Sequence, residues 1–201
     1  MSAAMYKALL FFGYPGCGKG TQGITLAGMP NLYHLAMGDI FRGLDKQSPT
    51  GQEFLSYSTK GQLVPDELTV RVWREHVEAK VADGLIRPDY HVLILDGIPR
   101  TPSQVKFLDP LIDVLKIIHL KMEDRGKLVE RLKGRAAQSQ RPDDAQESVI
   151  LNRIKVYEAE TEPVLKCYSS DLIADINADA VPLAVLADIC KVLAGVVPSK
   201  L

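Results

Sequence analysis

Gly13, Gly16, Gly18 and Lys19 stand in the spacing GxxxxGK, inside the stretch FFGYPGCGKGTQ that runs from Phe11 to Gln22. Glycines at these places let a backbone turn tightly and come close to a polyanion, so that its N–H groups and a following helix N-terminus face phosphate oxygens. Lys19 adds a flexible positive charge where negative charge is densest. An apolar run leads directly into the motif and a helical pattern directly follows it, the context in which this spacing signifies a nucleotide grip. Pro15, Cys17, Gly20 and Thr21 complete the loop. The loop's positive field could lower the pKa of Cys17, but a reactive thiol must also be exposed. A small space-filling side chain is the expectation there.

A second group lies in HVLILDGIPRTPSQ, where an apolar run delivers Asp96 to the C-terminal end of a strand. Ligands of parallel sheets bind at that edge. A carboxylate there can hold Mg2+ through water, because this ion keeps part of its hydration shell. Gly97 shapes the turn that follows, and Arg100 can grip a phosphate with its planar fork. Arg131, Arg135, Arg141 and Arg153 form a third group, with Arg131 and Arg135 on one helical face. The four histidines are scattered without the spacing of a metal site or a triad, so satisfied or surface histidines are expected.

The elements that must position these groups follow from periodicity. Short apolar runs begin at Lys7, Leu32, His91, Val114 and Asp171, and they alternate with helical patterns near 19–28, 39–46, 51–60, 66–83, 102–108, 123–134, 143–168 and 183–196. This alternation predicts an α/β doubly wound domain, a parallel sheet with helices on both faces. Pro65 and Asp66 start the 66–83 helix, with Asp66 as its cap, and Gly84 ends it. Asp39 reads as another helix cap rather than as a chemical group. Segments 38–64 and 134–142 fit the sheet less well and read as insertions able to move against the core.

The 201 residues suit a single domain spanning 1–201, with 24 basic and 25 acidic side chains and a net charge of -1. A protein that coats nucleic acid or an anionic membrane would be more basic, so neither is expected as a partner. Three cysteines without CxxC spacing fit a reducing, cytoplasmic setting rather than a disulfide framework. No apolar run has the length and continuity of a membrane span.

The loop departs from the general motif at one point: Gly20 follows Lys19, and the hydroxyl comes one place later at Thr21. GYPGCGKGTQ, MGDIFR, DGIPR and the arginine series occur here in the order found in adenylate kinases and their relatives, the nucleoside monophosphate kinases, which the chain resembles from first strand to last helix. The resemblance implies a P-loop sheet of five parallel strands in the order 2-3-1-4-5, an NMP-binding insertion over 36–65 and a short lid insertion over 134–142. It implies that Gly13, Pro15, Gly16, Cys17, Gly18, Lys19, Gly20 and Thr21 bind ATP, with Arg131 packing on its base. Arg135, Arg141 and Arg153 would stabilise the migrating phosphoryl group together with Lys19 and Arg100, and Asp143 and Asp144 would fix the arginines. Met37, Gly38, Arg42, Leu63, Val64, Gly97, Arg100, Gln104, Arg141 and Arg153 would form the acceptor site, with Gln104 reading adenine.

By that match the reaction is MgATP plus AMP giving two ADP, carried out by a monomer. Only AAQSQ separates Arg135 from Arg141, so the lid is the short form and a four-cysteine zinc site has no place in it. Met37 stands where adenylate kinases usually carry threonine, Ile98 where phenylalanine is usual, and the Arg141 to Arg153 interval is one residue longer than is typical. UMP, CMP or GMP as acceptor, or a nucleotide-binding module without turnover, are the competing readings.

Overall fold

The computed structural model describes residues 5–139 and 146–198. Five parallel strands form one sheet in the order β2-β3-β1-β4-β5: β1 (Tyr6–Gly13), β2 (Leu32–Ala36), β3 (Val92–Asp96), β4 (Ile112–Lys121) and β5 (Ile173–Asn177). The helices are α1 (Lys19–Leu26), α2 (Met37–Arg42), α3 (Pro49–Ser58), α4 (Asp66–Ala82), α5 (Pro102–Leu108), α6 (Arg125–Ser139), α7 (Glu147–Val156) and α8 (Pro182–Leu193). The P-loop sheet with strand order 2-3-1-4-5 is therefore the architecture observed.

β1 from Ala8 to Phe12 and β3 from Val92 to Leu95 are continuously apolar because both of their faces are covered. In β1, Ala8, Leu10 and Phe12 enter a core with Trp73 and Val77 of α4 and Leu108 of α5. Leu9 and Phe11 point the other way, into a core with Leu26 of α1, Leu128 and Leu132 of α6, and Ile189 of α8. The register sets Phe11 beside Asp96, and Ala36 beside Asp96, so three strands end together under the phosphate loop. The C-terminal edge of the sheet is thus where chemistry can be assembled.

Several boundaries differ from the periodicity. α6 continues to Ser139 rather than stopping near 134, because the residues after Gly134 are alanines, Arg135, Gln138 and Ser139, with no proline among them. The helix expected over 143–168 is α7, then a π-helical turn Tyr157–Thr161 and a 3₁₀ stretch Glu162–Cys167. Pro163 lacks the N–H that a continuing α-helix would need there. α2 begins at Met37, so Asp39 lies within its first turn instead of capping it, and pairs with Arg42. Asp66 is likewise the first residue of α4, with Pro65 at the cap position. The end of α4 is as expected: Gly84 takes a left-handed φ of 72° and Leu85 N–H bonds to Lys80 O at 2.9 Å. Among the described residues no helix is long and apolar enough to cross a membrane.

Candidate active site

The loop after β1 closes tightly. Gly13 has a φ of 140°, and a Cβ there would come within 2.5 Å of Leu120 O and 2.7 Å of Cys17 Sγ, so no other residue fits. Lys19 begins α1 and folds back over the loop, donating from Nζ to Gly13 O at 2.6 Å and to Tyr14 O at 3.1 Å. Cys17 is buried inside the loop, and burial pushes its thiol pKa up although Lys19 pulls it the other way. It fills space, as expected, and presents no thiolate.

Asp96 ends β3 beside this loop. Burial by itself would raise its pKa, but His34, Lys19 and Arg100 together outweigh burial and hold it below the usual carboxylate range. Its Oδ2 lies 3.6 Å from where a Cβ on Gly20 would stand, an ordinary van der Waals separation, so the carboxylate sits directly beside the start of α1. A lone anionic carboxylate facing a phosphate loop fits Mg2+, which takes most of its oxygens from water and phosphate. No cluster of three or more His, Cys, Asp or Glu suited to a metal exists among the described residues.

On the other side of Asp96, Gly97 turns the chain with a φ of 82°. A Cβ at Gly97 would stand 2.8 Å from Arg100 Nη2, because Arg100 folds back and donates from Nε to Gly97 O at 2.8 Å. Thr101 caps α5 by accepting from Gln104 N–H at 3.1 Å, and the Gln104 side chain accepts from Arg100 N–H at 2.7 Å. Across the cleft, Arg42 Nη2 donates to Asp39 Oδ1 at 2.5 Å. Phe41 of α2 and Phe54 of α3 stack at 4.9 Å, nearly parallel, which makes the two short helices one packed unit.

These groups open into one cleft of about 740 Å³. Gly13, Pro15, Gly16, Cys17, Gly18, Lys19, Gly20 and Thr21 line it, as do Met37, Gly38, Arg42, Leu63, Val64, Asp96, Gly97, Arg100, Gln104, Arg131, Arg135 and Arg153. The cleft thus brings together every described residue that the sequence singled out for the site. Arg141, Asp143 and Asp144 lie outside the described residues. Arg131 also reaches the carbonyl of Ala178 at 3.5 Å. Lys19 and five arginines line the cleft against Asp39 and Asp96, although the whole chain carries a charge of only -1. Such a concentration of cations is suited to polyanions.

Two groups escaped the sequence. His34 of β2 is partly buried, its buried Nε2 lies 3.8 Å from Asp96 Oδ2, and that nitrogen has no hydrogen-bond partner among the described residues. It packs against Gly23 of α1, where a Cβ would come within 2.5 Å of the ring. The only available signal was positional: His34 stands two residues before the end of the strand next to β3. Tyr157 also lines the cleft, with its ring 4.6 Å from that of Tyr14, and burial pushes its phenol pKa up. The other histidines are as expected, with His119 bonded to Asp175 at 2.9 Å and His91 accepting from Arg87 N–H at 2.9 Å.

Comparison with known proteins adds an independent finding. The family model described as adenylate kinase matches residues 11–173. The chain is 38% identical over 170 residues to the adenylate kinase of Prochlorococcus marinus, covering 82% of this chain and 85% of that one. It is 33% identical over 196 residues to that of Parasynechococcus marenigrum, covering 94% and 100%. The adenylate kinase of Bifidobacterium longum is 39% identical over 169 residues, covering 81% and 86%.

Proposed function

This chain belongs to the adenylate kinase family, and on that premise we propose that it moves the γ-phosphoryl group of MgATP to AMP, giving two ADP. The observation that carries the reading is the single cleft at the sheet's C-terminal edge, where Lys19 and five arginines meet around Asp96. The attacking phosphate oxygen is already ionised at neutral pH, so no general base is required. Catalysis reduces to aligning two polyanions and stabilising charge on the group in transit.

In this reading the phosphate loop from Gly13 to Thr21 holds the donor, and Lys19 leaves the carbonyls of Gly13 and Tyr14 for the phosphates. Arg131 packs on the donor base. Arg135 and Arg153 steady the moving phosphoryl group together with Lys19, and Arg141 shares this role. Arg42 and Arg100 hold the acceptor phosphate, while Met37, Gly38, Leu63, Val64, Gly97 and Gln104 surround its sugar and base. Asp96 would hold Mg2+ through water. The ion, when bound, offsets negative charge on the phosphates.

Segment 36–65 is the acceptor-binding insertion, supported by the Phe41–Phe54 stack that makes it a unit. Residues 134–142 form the short lid, of which 140–142 lie outside the described residues. A cytoplasmic setting, supported by three unpaired thiols, and a monomeric state are part of the same reading.

ATP offered with AMP, UMP, CMP and GMP in turn, followed by ADP release, tests the acceptor. AMP is expected to give the highest kcat/KM, and preference for any other monophosphate refutes the assignment.

A further inference from the structure

Gln104 is only 1% exposed, yet it lines the cleft, and its side-chain amide is gripped from two sides. Oε1 accepts from Arg100 N–H at 2.7 Å, and Nε2 donates to Asp66 Oδ1 at 2.8 Å. Neither partner can reverse its role: a backbone N–H only donates, and an ionised carboxylate only accepts. The chemistry of the partners therefore dictates which end of the amide is oxygen and which is nitrogen. One lone pair on Oε1 and one N–H on Nε2 remain for a ligand.

We propose that Asp66 is a positioning residue for acceptor specificity: by holding Nε2, it makes Gln104 present its remaining donor and acceptor in one fixed order. The inference rests on the reading that Gln104 faces the base of the monophosphate. A 6-aminopurine offers an acceptor at N1 and a donor at the 6-amino group. A 6-oxopurine offers a donor at N1 and an acceptor at O6, the same positions with roles exchanged. To serve the second, the amide must rotate by half a turn. That would set Nε2 against Arg100 N–H and Oε1 against the Asp66 carboxylate, both unfavourable in a buried site. Asp66 starts α4, 38 residues before Gln104, and it is not among the cleft-lining residues, so its influence runs through the amide.

A simpler role for Asp66 exists and is separable. A carboxylate in the first turn of a helix is stabilising through the helix dipole alone. Asp66→Asn and Asp66→Ala both remove that charge; asparagine keeps an oxygen able to accept from Gln104 Nε2, although its amide, unlike the carboxylate, can also turn to donate.

The test measures kcat/KM for AMP and for inosine monophosphate at fixed MgATP in the wild type, Asp66→Asn, Asp66→Ala and Gln104→Leu, with a thermal melt of each. Positioning predicts that Asp66→Ala narrows the AMP preference by about 10-fold or more, since a site built around fixed hydrogen bonds loses discrimination when they loosen. Asp66→Asn should lose less of the preference than Asp66→Ala, because Arg100 N–H still fixes Oε1 and an amide oxygen at position 66 still holds Nε2, with KM for ATP unchanged. It should also melt above Asp66→Ala, which leaves the buried Nε2 without its acceptor. An Asp66→Ala enzyme that keeps the wild-type preference, or equal losses in Asp66→Asn and Asp66→Ala, overturns the proposal. If Gln104→Leu abolishes the AMP preference and Asp66→Ala leaves it, only the role of Asp66 fails. If Gln104→Leu leaves AMP turnover and preference intact, the base-facing reading of Gln104 fails, and this inference with it.

Discussion

His34 Nε2 stands 3.8 Å from Asp96 Oδ2, a buried imidazole nitrogen facing the carboxylate at the end of β3. With Lys19 and Arg100 nearby, the site holds Asp96 as an anion despite burial. In this way the fold keeps a negative charge ready among cations before any nucleotide arrives.

Asp96→Asn is expected to lower kcat by about 10²-fold or more, the scale seen when one group stabilising transferring charge is removed. It should also change acid stability. The folded pKa of Asp96 is depressed, so its stabilising contribution is complete above about pH 4, the unfolded carboxylate value, and is lost as pH falls through the folded one. Urea midpoints of the nucleotide-free protein between pH 5 and pH 2 should fall less steeply in Asp96→Asn; equal slopes would contradict this account of the carboxylate.

Lys19→Ala should reduce turnover by about 10²-fold or more while the protein stays folded. The hydrogen bonds lost in the free protein are two to carbonyls of its own loop and a long one to Cys17 Sγ at 3.9 Å, together with the attraction of Lys19 for Asp96. At about 1 kcal/mol each, they should lower the urea midpoint only modestly. Turnover that persists at the wild-type level would remove Lys19 from the mechanism, and a wild-type protein without any turnover would favour a nucleotide-binding module.

Gly97→Ala places a Cβ 2.8 Å from Arg100 Nη2 at a backbone φ of 82°. The strain is of order 1–2 kcal/mol, and Arg100 must move aside. KM for AMP is expected to rise about 10-fold or more, with KM for ATP nearly unchanged, because Arg100 is assigned to the acceptor. Steady-state kinetics with each substrate varied separately checks it, and an equal rise in both would place Arg100 elsewhere.

Met37 is 2% exposed and packs in the core that contains Phe41, Val64 and Leu68. Met37→Ala should cost about 2–5 kcal/mol and Met37→Leu less than about 1.5 kcal/mol, measured by urea denaturation. If alanine costs no more than leucine, Met37 does not pack as the structure has it.

Binding of a two-substrate analogue that joins ATP to AMP should slow amide exchange across residues 38–64, because water must be kept from the phosphoryl group in transit. Exchange unchanged in α2 and α3 would argue against closure of that segment.

The sequence by itself determined the parts whose physics is local. GxxxxGK between an apolar strand and a helix requires only neighbouring residues: glycines for the turn, a lysine for the charge, a helix N-terminus for the anion. The apolar runs of β1 and β3 announce strands covered on both faces, and so the layered α/β architecture. What the tertiary structure decided are relations between distant residues. His34 meets Asp96 because β2 pairs with β3 in a particular register, and no spacing along the chain encodes that. Asp66 meets Gln104 because α4 packs beside α5 across 38 residues, and the helix start that looked like a cap became an anchor for an amide. α6 passed its expected end because its polar residues are good helix formers, a preference that hydrophobic periodicity does not register. Local patterns report what each segment can be, while register and packing choose which side chains face one another.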